Sequence, residues 1–249
     1  METFKDYLPA ENLLQGRVIL ITGAGQGIGR EAALAYAAHG ATVILHGRKV
    51  QKLESVFDEI ALLGKSEALI YPLDLEKAEE KDFQITAQSI AQQIGRLDGI
   101  LYNAAFLHGL TPMQNQTVEQ WRTVLQINLI SSFALTKACL PLLKAAPDAS
   151  IIMTSDSHTI KPTAYWGPFL VAKTGIEALV KSLADEWEQT IPHLRINSII
   201  PGAINSPQRA KTHPGEVKQN MRQPKDIMST YLYLMGSDSC HVSGKTIFC

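Results

Sequence analysis

The sequence predicts an α/β fold, a doubly wound parallel sheet in a single domain, and three observations predict it. Short runs of β-branched and aliphatic residues alternate with longer helical patterns along the whole chain. That is the signature of strands buried on both faces by crossover helices. The first run, residues 17–22, leads into Thr22-Gly23-Ala24-Gly25-Gln26-Gly27-Ile28-Gly29 and then into a helical pattern over 30–39. The later runs end at Gly47-Arg48, Asp74, Asn103, Ser155-Asp156-Ser157 and Pro201-Gly202. These residues therefore gather at the carboxyl edge of the sheet, where such folds hold their ligands.

Taken in order, residues 1–15 are a mixed leader, and 41–46 read as a second buried strand. An amphipathic helix follows over 49–63, a third strand over 67–73, and a polar helical stretch over 76–95. Residues 99–102 form a fourth strand, and a loop bearing Gly109 and Pro112 leads to a long helix over 118–143. A turn at Pro147 precedes the fifth strand, 150–154, and Gly167-Pro168 opens a second long helix over 168–189, proline being suited to a first helical position. Residues 195–200 give a sixth strand stopped by Pro201-Gly202; 203–222 read as polar and irregular, 226–235 as a short helix, and 246–248 as a last strand. Nothing in the chain reads as a repeat, a low-complexity tract or a linker, so one domain spans 1–249.

The glycine stretch carries the chemistry. One glycine permits a turn that no side chain allows, one lets the backbone approach a pyrophosphate, and one packs the helix against the strand. The helix N-terminus then faces the phosphates. Between a strand and a helix this pattern points to dinucleotide binding through Thr22, Gly23, Gly25, Gln26, Gly27, Ile28 and Gly29. Which dinucleotide depends on the end of the second strand, where an acidic residue would bond the ribose hydroxyls of NAD. Here Gly47 leaves room for a 2′-phosphate and the Arg48 guanidinium is able to bind it, which favours NADP(H) over NAD(H). Arg48 as a solvated residue at a helix start is the alternative. His46 either assists or packs. Asp74 either accepts from the adenine amino group, with Leu75 beside it, or caps the next helix.

Composition sets the bounds. With 249 residues, 45% hydrophobic and 19% charged, and a formal net charge of -1, the chain is an ordinary globule with no basic surplus for nucleic acid or an anionic membrane. The three cysteines, Cys139, Cys240 and Cys249, have no paired or metal-ligand spacing, and no metal site is expected. The start lacks a basic segment followed by an apolar one, and no apolar run reaches about 18 residues, so a cytoplasmic location and no membrane span are expected.

With these residues in view, the chain resembles the short-chain dehydrogenase/reductase family over nearly its whole length. Thr22-Gly23-x-x-x-Gly27-x-Gly29, Asp74, Asn103-Ala104, Asn128, Lys173 and Pro201-Gly202 fall in that family's order and approximate spacing. The resemblance implies a Rossmann-type sheet of seven strands in the order 3-2-1-4-5-6-7. It implies pairing into a homodimer or homotetramer through the helices 118–143 and 168–189. It implies hydride transfer between a nicotinamide and a carbonyl or alcohol of a small-molecule substrate, with cofactor contacts from Asn103, Ala104, Lys173, Pro201 and Gly202.

In that family a tyrosine donates the proton, a lysine four residues later holds the ribose and lowers the tyrosine pKa, a serine thirteen residues before the tyrosine binds the substrate oxygen, and an asparagine helps to hold a water. Lys173 takes the lysine position and Asn128 the asparagine position, but Phe169 stands for the tyrosine and Asp156 for the serine. The strand-four signature is altered too, to Tyr102-Asn103-Ala104-Ala105. Phenylalanine has no O–H to donate. An ionised Asp156 opposes an oxygen that is gaining negative charge.

Three readings follow: an oxidoreductase whose acid has moved, an NADP(H)-binding protein without turnover that serves as sensor or partner subunit, and a fold without a nucleotide role. The intact glycine loop argues against the third. Candidates for a moved acid are Asp156 held protonated, Tyr165 and His158. The stretch 203–222 resembles the family's substrate lid and carries Arg209, Lys211, His213, Lys218 and Arg222, either to recruit an acidic substrate or as a solvated loop. Met153, Trp166 and Phe169 are candidates for an apolar pocket wall, and Trp166 and Phe169 equally for core.

Overall fold

The computed structural model describes residues 3–249. Seven parallel strands form one sheet in the order β3-β2-β1-β4-β5-β6-β7. They are β1 (Val18–Thr22), β2 (Thr42–Gly47), β3 (Ala68–Pro72), β4 (Gly99–Tyr102), β5 (Ala149–Thr154), β6 (Leu194–Ile200) and β7 (Thr246–Phe248). Each central strand is a continuous apolar run because both of its faces are covered; all five β1 residues are buried. Burying Ile19, Leu20 and Ile21 stabilises by roughly 1.5–3 kcal/mol per side chain against the exposed state.

On one face lie α1 (Gly27–Ala38), α2 (Val50–Leu63) and α8 (Met228–Met235), around a core that includes Ile19, Ile21, Val43, Leu45 and Tyr231. On the other lie α3 (Glu80–Gln93), α4 (Val118–Leu125), α5 (Ser131–Ala145) and α6 (Gly167–Trp187), over Leu20, Ile44, Ile100 and Ile151. Alternate residues of each strand feed the two cores, as the period of two requires. The strand order reverses between β1 and β4, and this opens the crevice that a ligand can enter.

Several boundaries differ from the sequence reading. α1 begins at Gly27 rather than residue 30, since glycine there takes φ 58° and starts the helix inside the motif. The stretch expected to be helical over 76–95 shrinks to α3, because Asp74 closes a turn over 74–78 and a capping box between Glu79 and Asp82 starts the helix. The segment 203–222 is not wholly irregular. Ser206 caps α7 (Pro207–Thr212), accepting from the Arg209 N–H at 3.2 Å.

The helix expected over 118–143 runs from Val118 to Ala145, with a π-helical turn at Gln126–Ile130 joining α4 to α5. By length and composition alone this helix is apolar enough to cross a membrane, a test that a core helix also passes. Of its most apolar stretch 44% is buried within the fold, and Leu135, Cys139 and Leu143 lie in the core beneath the sheet.

The leader is held in place. Phe4 stacks on Tyr233, the Tyr7 hydroxyl donates to Asp238 at 2.6 Å, and the Ser229 hydroxyl donates to the Lys5 carbonyl at 3.0 Å.

Candidate active site

A cleft of about 560 Å³ runs along the carboxyl ends of the strands, from Arg48 and Asp74 past the glycine loop to Lys173 and Phe169. Its floor is the loop Gly23–Gly29. A Cβ at Gly23, where φ is 70°, would lie 2.9 Å from the Ala104 Cα. A Cβ at Gly29 would overlap the Gly23 carbonyl oxygen and stand 2.8 Å from Asn103 Nδ2. The loop therefore folds against the β4 end only with glycine at both places. Gln26, the residue before α1, makes no side-chain cap, and the first turn holds no acidic residue. The N–H groups of that turn are left for an anion.

Thr22 and Gly29, expected to bind the dinucleotide, lie outside the cleft wall and position it instead. The Thr22 hydroxyl accepts from the Asn103 and Ala104 N–H groups at 3.0 and 3.1 Å, which ties the β4 end to β1. Gly25, Gln26, Gly27, Ile28, Leu75, Asn103, Ala104, Pro201 and Gly202 do line the cleft. Asp74 lines it while its Oδ1 accepts from the Glu76 N–H at 3.2 Å, so it serves the turn and faces the cleft at once. Arg48 stands half-exposed at the rim, 4.0 Å from the Glu76 carboxylate, beside the small Gly47.

His46 is fully buried beside this rim, with neither ring nitrogen bonded among the described residues. Burial holds its pKa down, to about 4 from 6.5. A lowered pKa means that the unfolded chain takes up a proton first, so stability present above pH 6.5 is lost as pH falls toward 4. The loss from this group should reach about 3 kcal/mol by pH 4. Denaturant melts of wild type and His46→Leu across pH 4–7 should show the variant with the flatter profile; parallel profiles would refute this.

At the other end, Lys173 is 4% exposed, and its Nζ donates to the Thr154 carbonyl at 2.6 Å and lies 5.6 Å from the Phe169 ring centre. Burial lowers its pKa to about 8, against the opposing pull of Asp156 and Glu177. Phe169 lines the cleft and is 1% exposed, so the ring occupies its position without a hydroxyl. Asp156 also lines the cleft. Its Oδ1 accepts from the His158 N–H at 3.0 Å and from His158 Nδ1. The Oδ1–Nδ1 bond ties the carboxyl to the imidazole ring, and one proton is shared between the two groups.

Tyr165, the second candidate acid, stands apart from the cleft wall. It is the non-glycine residue with positive φ (75°) among the described residues, and its side chain is 56% exposed. His158 stacks on Trp166 at 3.7 Å between ring centres and is likewise outside the wall. Asn128, in the π-turn, makes no contact with the cleft. Its Oδ1 accepts from the Phe106 N–H at 2.8 Å, and its Nδ2 donates to the Phe106 and Val124 carbonyls at 2.8 and 2.9 Å. It fixes the loop after β4 and is a positioning residue. Met153 is fully buried in the core beneath the sheet and leaves the apolar wall to Trp166 and Phe169.

Arg209 and Lys211 of α7 line the cleft; Arg209 is paired with Glu216, and Arg222 donates to the Pro201 carbonyl at 2.9 Å. His213 lies 6.2 Å from the Trp166 ring, and the Lys218 side chain lies outside the described residues. Sequence reasoning missed Ser206 and Pro207. They stand where a Cβ on Gly27 would meet them at 3.9 and 3.6 Å, which brings α7 over the phosphate cradle. A serine before a proline, as at 206–207, is the capping signal that would have found α7. Ser155, at the strand end expected to face a ligand, has its hydroxyl buried in the cleft wall without a partner among the described residues. No group of three His, Cys, Asp or Glu side chains is placed to hold a metal among the described residues.

The cradle suits a dinucleotide on this structure's own terms: any side chain at Gly23 would fill it, and the α1 N–H groups and Arg48 supply donors for phosphates. Comparison with known proteins gives three findings. The family model for short chain dehydrogenase matches residues 17–217. The oxidoreductase YciK of Escherichia coli (strain K12) is 42% identical over 240 residues, covering 96% of this chain and 94% of that one. Among solved structures, a short chain dehydrogenase from Pseudomonas syringae is 44% identical with a TM-score of 0.95, each chain covered to 99%. One from Escherichia coli CFT073, complexed with NADPH, is 42% identical with a TM-score of 0.92, covering 96% of this chain and 99% of that one.

Proposed function

The chain belongs to the short-chain dehydrogenases, and from that premise we propose that it is an NADP(H)-dependent oxidoreductase with a non-standard active site. The observation that carries this reading is the shared cleft: the glycine cradle and Arg48 line one end, and Lys173 and Phe169 the other. The α1 N-terminus and Ser206 would hold the pyrophosphate, Arg48 the 2′-phosphate, Asp74 and Leu75 the adenine, and Lys173 with Asn103 the ribose near the reacting carbon. When bound, the nicotinamide supplies or accepts a hydride. Binding by a relative complexed with NADPH supports the choice of cofactor.

The chain's own residues then decide what hydride transfer is allowed. Lys173 holds its proton at Nζ against the Thr154 carbonyl, Phe169 keeps water from that wall, and no hydroxyl stands at its ring position. Reduction of ordinary aldehydes and ketones at a carbonyl carbon is therefore expected to be slow. The missing acid also favours a second reading, an NADP(H)-binding sensor or partner subunit in the cytoplasm. In either case a homodimer or homotetramer would form through the helices expected at 118–143 and 168–189, whose Ile130, Phe133 and Val171 are 48%, 49% and 46% exposed.

Calorimetric titration with NADPH and with NADH tests the reading. NADPH should bind the more tightly. Arg48→Ala should weaken NADPH by roughly 10–100-fold, the value of one charge-assisted contact, and leave NADH nearly unchanged. Equal loss for both would place Arg48 outside the 2′-phosphate site, and no binding of either would remove the proposal.

A further inference from the structure

The substrate end of the cleft carries a carboxylate and two aromatic rings where a carbonyl-reducing site needs a proton donor. Asp156 is held by His158 through Oδ1, and Oδ2 has no donor among the described residues. Its side chain is 23% exposed, on the cleft wall. Trp166, braced by the His158 ring stacked on it, and Phe169 line the cleft with their ring centres 5.8 Å apart and their planes at 46°. Of the nearby cations, Lys173 Nζ is turned onto the Thr154 carbonyl and Arg209 is paired with Glu216.

A carboxylate beside two aromatic rings is a site for a cation. It is poorly suited to an oxygen that becomes negative.

We propose that this site takes a cationic carbon–nitrogen double bond, an iminium ion or protonated imine, with the Asp156 carboxylate paired to the nitrogen beside the wall that Trp166 and Phe169 form. This rests on the NADP(H)-oxidoreductase reading and names its substrate class. In such a substrate the carbon accepts a hydride, which brings both electrons from a reduced nicotinamide dinucleotide. The C=N π pair passes to nitrogen, the positive charge is cancelled, and the product is a neutral amine with the nicotinamide oxidised. No proton has to reach the substrate, so the absence of a hydroxyl on Phe169 costs nothing. In the reverse direction positive charge develops at nitrogen as the hydride leaves, beside a fixed carboxylate placed to stabilise it.

The test uses N-methyl-3,4-dihydroisoquinolinium as cation and 1-tetralone as its neutral ketone counterpart, titrated into NADP⁺-loaded protein by tryptophan fluorescence. The cation should bind about 10-fold or more tightly than the ketone, and Asp156→Asn and Asp156→Ser should each remove that preference. With NADPH, the cation should consume one equivalent of cofactor per amine formed. Equal binding of both probes, or a preference that survives in both variants, overturns the inference. Hydride transfer to the ketone with no preference for the cation overturns it too, while leaving the oxidoreductase reading in place. A cation preference lost in both variants, with no hydride transferred to either probe, supports cation recognition and overturns the oxidoreductase reading instead.

Discussion

Phe169→Tyr combined with Asp156→Ser is expected to raise ketone reduction by NADPH on the order of 10²–10⁴-fold in kcat/KM, the range of a positioned general acid. The ring is already in place: it lines the cleft, 5.6 Å from the Lys173 ammonium, whose proximity lowers the pKa of a hydroxyl added to it. Asp156→Ser removes the charge that opposes a developing oxyanion and supplies a neutral donor. Neither change should suffice alone, because a tyrosine facing a carboxylate still works against repulsion, and neighbouring sites of this kind are not additive. Steady-state rates over a panel of aldehydes and ketones decide the matter. A double variant that binds NADPH normally yet gains less than about 10-fold would show that the proton donor is not what ketone reduction lacks.

The second large effect belongs to the phosphate cradle. Gly29→Ala should weaken NADPH binding at least about 100-fold and lower Tm by roughly 3–10 °C, since a Cβ overlapping the Gly23 carbonyl forces the loop apart at a cost of about 1–3 kcal/mol. The loss in binding exceeds the loss in stability because the N–H groups that face phosphate belong to the same loop. Calorimetry and a thermal melt measure the two separately. An alanine variant that binds NADPH as wild type would mean that the loop opens away from Asn103 without strain.

The fold was legible because every strand is a buried apolar run closed by a distinctive residue, and Val18–Thr22 with its glycine loop shows the whole principle in twelve residues. The glycine cradle was legible for the same reason, as local backbone chemistry. What stayed hidden is set by side-chain direction across long separations. Thr22 reads as a cofactor ligand until its hydroxyl is seen accepting from residues 103 and 104. That the Asn128 amide is bonded to Phe106, 22 residues earlier, is not legible in the sequence. Asp156 reads as a lone carboxyl until His158, two residues on, is seen bonded to it.

The π-turn at Gln126–Ile130 has a consequence for anyone altering this chain. Each helical residue advances the azimuth by about 100°, so one residue accommodated in a widened turn re-phases everything downstream. α4 and α5 are one rod with two angular settings. Deleting a single residue there would roll the Leu135, Cys139 and Leu143 stripe about a quarter-turn out of the core and point lysines inward. The turn is a gearing element, and its length tolerates less change than its composition.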